Sequence, residues 1–154
     1  MGVALKSHEY YMQLAFDLAQ EAANDRETPV GCVVVNDSGT VIGRGQNRRE
    51  KSKTATAHAE IEAINEACKM IGDWRLSGCS LYVTLEPCPM CAGAIIMSRI
   101  DKLYYASRDD ITGSCGSVIN LFMEKYGHST EVTGGILAEQ CSEILSGFFK
   151  KLRN

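Results

Sequence analysis

Two short motifs constrain this chain more than anything else in it: His58-Ala59-Glu60 and, further along, Pro87-Cys88-Pro89-Met90-Cys91. Two thiolates and one imidazole suit Zn²⁺, which prefers nitrogen and sulfur ligands in tetrahedral geometry. Three protein ligands leave a fourth position for water or substrate, which is the catalytic pattern; structural sites are usually closed by four. Cys88 and Cys91 are three apart, so on the first turn of a helix both face one point. His58 and Glu60 are two apart, and in mid-helix they would diverge. At a helix start they instead flank a site lying beyond the helix end. There, unpaired N–H groups and the helix dipole also favour thiolates. The fold must therefore bring two helix N-termini, each fed by a strand or loop, to a single place.

The rest of the pattern supplies such elements. Ser7 is a plausible N-cap for a helix with Tyr11, Leu14, Ala15, Leu18, Ala19 and Ala22 on one stripe, which Thr28-Pro29 is expected to stop. Val30–Val35 and Thr40–Gly45 flank Asn36-Asp37-Ser38-Gly39 and read as a hairpin. His58–Met70 reads as a helix ended by Gly72, Ser80–Leu85 as a buried strand, and Cys88–Arg99 as a helix of small and aliphatic residues. Lys102–Ala106 and Glu131–Thr133 are further strands, and Leu137–Leu152 a closing amphipathic helix. Alternating strands and helices predict an α/β layered domain, and the early hairpin makes its sheet mixed. With no repeat, linker or low-complexity stretch, one domain over residues 1–154 is the simplest organisation.

Composition matters mainly for what it removes. No apolar run is long enough to span a bilayer. The opening Met1-Gly2-Val3-Ala4-Leu5-Lys6 is too short and too quickly polar for a secretory signal, and is a poor myristoylation match. Seven cysteines without a secretion signal argue for free thiols and a cytoplasmic location rather than a disulfide framework. The net charge of −3 gives no global pull toward nucleic acid, so any RNA contact must come from local basic patches.

Read singly, each motif has bland alternatives. Cys-x-x-Cys also fits a redox pair or half of a structural zinc site, and His-x-Glu a histidine beside a surface carboxylate. Joined in this order, with proline before the first cysteine, they match the signature of zinc deaminases. The ion makes a water nucleophile available near neutral pH, for attack on a ring carbon that bears an amino group. A carboxylate must then move protons from the water to a ring nitrogen and to the departing amine. Glu60 is placed for that role, which is typically worth about 10²–10⁴-fold in rate.

The chain resembles the bacterial tRNA adenosine deaminases, which convert adenosine to inosine at the anticodon wobble position. The resemblance runs from about Ser7 to Arg153. It is carried by Pro29-Val30-Gly31, Gly45-Gln46-Asn47, Thr56-Ala57-His58-Ala59-Glu60, Leu81–Cys88, Cys91-Ala92-Gly93-Ala94, Ser98-Arg99-Ile100, Arg108-Asp109, Gly116-Ser117 and Phe148-Phe149-Lys150. It implies a three-layer α/β/α cytidine-deaminase-like fold with a mixed five-stranded sheet, a homodimer, one Zn²⁺ per chain and a tRNA anticodon loop as partner. It places His58, Cys88 and Cys91 on the zinc ligands and Glu60 on the proton shuttle. Asn47 falls on a residue that bonds the target purine, the Ala59 N–H on an amide near the ring, and Val30 on a pocket wall. Asp109 falls on a ribose contact, where a 2′-OH separates RNA from DNA, and Phe149 on an aromatic near the flipped nucleotide.

Plainer roles stand beside these. Asn47 also suits a turn, Asp109-Asp110 a solvated loop, and at least one of Phe148 and Phe149 the core. Glu86 suits either a partner that orients the metal ligands or a cap on the helix that follows. Ile111 departs from the family pattern, which commonly has lysine there. Arg48, Arg49, Lys51, Lys53, Lys150, Lys151 and Arg153 would form the electrostatic footprint for RNA, or simply a solvated surface. Two other functions compete: a free-base or nucleoside deaminase of guanine or cytosine type, and a zinc-stabilised binding subunit without activity. An intact Glu60 argues against the latter, because a binding module needs no proton shuttle.

Overall fold

The computed structural model describes residues 5–154; the expectations that rested on Met1–Ala4 lie outside that range. Five strands form one mixed sheet in the order β2-β1-β3-β4-β5: β1 (Gly31–Val35), β2 (Val41–Gln46), β3 (Ser80–Leu85), β4 (Lys102–Ser107) and β5 (Glu131–Thr133). β1 runs antiparallel to both β2 and β3, whereas β3, β4 and β5 are parallel. Helices cover both faces, as the alternation of elements predicts.

Strand pleat divides the core in two. Cys32, Val34, Leu81, Val83 and Leu103 face α3 (Ala59–Ile71) and α4 (Pro89–Met97), where Ala63, Ile64, Ala67 and Ile95 meet them. Val33, Val35, Tyr82, Tyr104 and Ala106 face α1 (His8–Asn24) and α5 (Ala138–Arg153), meeting Tyr11, Met12, Ala15 and Cys141. β1 is buried on both sides along its whole length, which is why it reads as a continuous apolar run. On the second face His8 stacks on Tyr104 at 4.2 Å, and its Nδ1 lies 2.7 Å from the Tyr82 hydroxyl.

α3 lies unusually close to the sheet. A Cβ on Gly45 would come within 2.1 Å of the Ala59 carbonyl, and one on Gly43 within 2.2 Å of the Ala63 carbonyl. Two glycines on one face of β2 thus let the first turn of α3, with His58 and Glu60, press directly on the strand.

Ser7 caps α1 as expected, accepting a hydrogen bond from the Tyr10 amide, and Gly72 ends α3 in the left-handed region at φ 72°. α1 stops at Asn24, ahead of the predicted breaker at Thr28-Pro29. The polar run Asn24–Glu27 offers no further apolar position, and Arg26 turns left-handed at φ 62°. Two elements fall below the reach of periodicity: α2 (Arg49–Ser52) and a single 3₁₀ turn at Leu121–Met123. Phe148 and Phe149 pack edge to face on each other, but neither joins the core: Phe148 is half-buried, and Phe149 is 44% exposed. α5 buries only Cys141, so its outer turns have no second layer to fill.

A candidate metal centre and its pocket

The ends of four elements line up along one edge of the sheet. Gly31 pairs with Gln46, Cys32 with Val83, and Leu85 with Ser107. The residues just beyond those pairs, Val30, Asn47, Glu86 and Arg108, therefore emerge side by side. Open α/β sheets bind ligands at the carboxyl ends of parallel strands, and here the ends of β3 and β4 form half of that edge.

α3 and α4 both begin at this edge. His58 is the N-cap of α3 and Glu60 sits in its first turn; Cys88 is the N-cap of α4, Pro89 follows it, and Cys91 completes the first turn. Proline suits that position because its missing N–H would have no helical partner. His58 Nδ1 lies 3.6 Å from Cys88 Sγ and 3.5 Å from Cys91 Sγ, and all three ligand atoms fall within 4.8 Å of one another. A tetrahedral Zn²⁺ with its usual bonds to nitrogen and sulfur would need nitrogen–sulfur separations of about 3.5 Å. The side chains thus already stand at the spacing such an ion requires. Among the described residues the cluster has three members, the number that leaves a tetrahedral ion one open corner.

The charges agree with a cation at this point. The hydrogen bond with Cys91, with the His58 ring beside it, holds the Cys88 thiol down to about 4. The same hydrogen bond, together with burial, pushes Cys91 up. A divalent ion bound here would favour both thiolates. Burial pushes the Glu60 carboxyl up to about 7; it is 4% exposed. An acid poised there takes up and returns a proton near neutral pH.

In front of the cluster lies a pocket of about 530 Å³. Val30, Asn47, Ala59, Asp109 and Phe149 all line it, together with His58, Glu60 and Cys88. Asn47 is anchored on both sides of its amide: Nδ2 donates to the Thr28 carbonyl at 3.2 Å, and Oδ1 accepts from the Arg49 amide at 3.2 Å. Each of those atoms keeps a second donor or acceptor position for a ligand. Buried Glu27 fixes the same rim by accepting from the amides of Glu50 and Lys51. Asp109 ties its own turn, accepting from the Ile111 and Thr112 amides and from the Thr112 hydroxyl.

Sequence reasoning missed some of the wall. Thr28, Leu85 and Leu145 also line the pocket. Leu145 stands one helical turn before Phe149, and that spacing was the available signal. The basic footprint is thinner than the sequence suggests. Arg48 pairs with Glu62 at 2.9 Å and Lys51 with Asp25 at 3.8 Å, while Arg49 and Arg108 face the pocket.

Residues 5–107 match the model of the cytidine and deoxycytidylate deaminase zinc-binding region. The chain is 46% identical to the tRNA-specific adenosine deaminase of Bacillus subtilis (strain 168), over 94% of its own length and 90% of that protein. It is 47% identical to the enzyme of the same name from Haemophilus influenzae, over 94% and 84%. A structure solved in work on A-to-I editing by tRNA:A34 deaminases superposes with a TM-score of 0.85 at 42% identity, over 88% of this chain and 99% of that one. The guanine deaminase of Bacillus subtilis is more distant, at 34% identity and a TM-score of 0.66, over 97% and 95%.

Proposed function

The chain belongs to the tRNA-specific adenosine deaminase family, within the cytidine and deoxycytidylate deaminase fold, and from that premise we propose that it is a zinc-dependent hydrolase converting the wobble adenosine of a tRNA anticodon to inosine. The observation that carries this reading is the meeting of His58, Cys88 and Cys91 beside the buried Glu60, at the floor of a pocket of nucleoside size. One deaminase domain over residues 1–154, one Zn²⁺ per chain and a homodimer complete the proposal. The exposed Met70, Trp74 and Met97, at or near the C-terminal ends of α3 and α4, support a partner copy. The seven free cysteines are in keeping with the reducing cytoplasm, and among the described residues no helix is long and apolar enough to cross a membrane.

His58 Nδ1 and the two sulfurs would hold the ion. When bound, it would act as a Lewis acid that makes a water nucleophile available near neutral pH. Glu60 takes the proton of that water and delivers it to the purine ring nitrogen next to the carbon under attack. It then takes the second proton from the hydroxyl now on that carbon and hands it to the departing amine. One carbon–nitrogen bond breaks, one carbon–oxygen bond forms, and adenosine plus water becomes inosine plus ammonia. The spare positions on the Asn47 amide and the Ala59 N–H hold the base edge, and Val30 and Leu85 close on its faces. Asp109 Oδ2 retains acceptor capacity for a ribose hydroxyl, and Phe149 offers its ring at the mouth. The target base must leave its stack to reach this depth.

Free guanine is the competing substrate, since guanine deaminases share the fold. Ammonia release from an anticodon stem-loop carrying the wobble adenosine, compared with guanine, adenosine and cytosine, separates the two. The stem-loop is expected to exceed each small molecule in kcat/KM by about two orders of magnitude or more, because contacts remote from the reacting base contribute to the transition state. Preferential turnover of a free base would remove the tRNA assignment.

A further inference from the structure

The last residue before the Pro-Cys-Pro-Met-Cys motif does not cap the helix that follows, and its carboxylate bonds a distant segment. Glu86 is 2% exposed. Cys88, the N-cap of α4, carries no side-chain cap, and the hydrogen bonds of the Glu86 carboxylate all run to another segment. Oε1 accepts from the Asp109 amide at 3.1 Å and from the Ser117 hydroxyl; Oε2 accepts from the amides of Cys115 at 2.8 Å and Ser117 at 3.2 Å. Burial works against the negative charge, but these four donors keep the carboxyl below the ordinary glutamate range.

The backbone closes the same joint. The Glu86 amide donates to the Ser107 carbonyl at 2.8 Å, and the Ser114 amide to the Pro87 carbonyl at 2.9 Å. Gly113 packs so tightly here that a Cβ would stand 2.5 Å from the Glu86 carboxylate. Only glycine fits. The segment pinned in this way carries Arg108–Thr112, which forms one wall of the pocket, and Asp109 then locks its tip.

We propose that Glu86 is a positioning residue for substrate binding: its carboxylate holds the Arg108–Ser117 segment in the shape that receives the nucleotide, and it does so independently of the ion. The proposal rests on the nucleotide reading of the pocket given above. Glu86 mirrors Glu27 on the opposite rim, where a second buried carboxylate gathers backbone amides. The two walls are thereby shaped before any substrate arrives, which lowers the ordering cost of binding.

The test uses the zinc-loaded full chain. Glu86→Gln keeps the side-chain length but turns an NH₂ toward amide donors; Ser117→Ala removes one donor from the other side and is the milder variant if Glu86→Gln folds poorly. Both are expected to raise KM for the anticodon stem-loop, Glu86→Gln by about 10- to 100-fold. Zinc content per chain and kcat at saturation should stay close to wild type. Amide hydrogen exchange at Asp109, Cys115 and Ser117 should accelerate, while the amides of β1 stay protected. Loss of zinc in proportion to activity, a fall in kcat at unchanged KM, or unaltered exchange at those three amides would overturn the proposal. Exchange reads the joint without any substrate. If the wild-type chain spares the stem-loop but turns over a free base, the activity assignment fails separately, and the KM comparison moves to that base.

Discussion

Glu60→Ala is expected to cut deamination sharply without loss of zinc binding. The effect should be about 10²–10⁴-fold in kcat, the range for losing a positioned proton carrier. Glu60 is buried and lines the pocket, and burial lifts its carboxyl to about 7. It belongs to neither the ligand cluster nor the pinned loop, so removing it leaves both intact. Glu60→Gln is the sharper version, because it preserves volume and one acceptor but cannot shuttle protons. Both variants should bind zinc as the wild type does, by elemental analysis, and give the same far-UV circular dichroism. Near-wild-type turnover in Glu60→Gln would dismiss the assigned role, since a merely structural side chain would survive so conservative a change.

Removing the metal has the other large effect. Dialysis against a strong chelator is expected to bring turnover down to background, and added Zn²⁺ to restore it in proportion to the ion bound, saturating at one per chain. The fold should persist without the ion. Both faces of the sheet carry hydrophobic cores that do not include the ligands His58 and Cys88, and fully buried side chains such as Leu81, Ile95 and Leu103 contribute about 1.5–3 kcal/mol each. This sets the chain apart from zinc fingers, in which metal binding supplies the folding free energy itself. Cys88→Ala should reproduce the loss and resist rescue by zinc. Full activity in metal-free protein would refute metal dependence.

The cluster was legible because two motifs of ligand-type residues each sit where the apolar pattern starts a helix. Residues two apart on one motif and three apart on the other can converge there, and both motifs occupy N-cap and first-turn positions. The strands were legible because β-branched runs and pleat alternation are local. Glu86 was not, because what it does depends on partners 23 to 31 residues away that no spacing rule connects. Thr28 and Leu85 reach the pocket only because strand register sets the ends of β1 and β3 side by side. Met12 is fully buried yet fell outside the helical stripe read from the sequence, because the sheet covers more of α1 than a narrow stripe. α2 is held by Glu27 rather than by its own four residues, and such short elements have no periodicity to read.

X-ray absorption at the zinc edge of the loaded protein is the most direct test. It should show two sulfur scatterers near 2.3 Å, with the remaining scatterers nitrogen or oxygen at about 2.0–2.1 Å. A shell of three or four sulfurs, or none, would mean that His58, Cys88 and Cys91 do not share one catalytic ion.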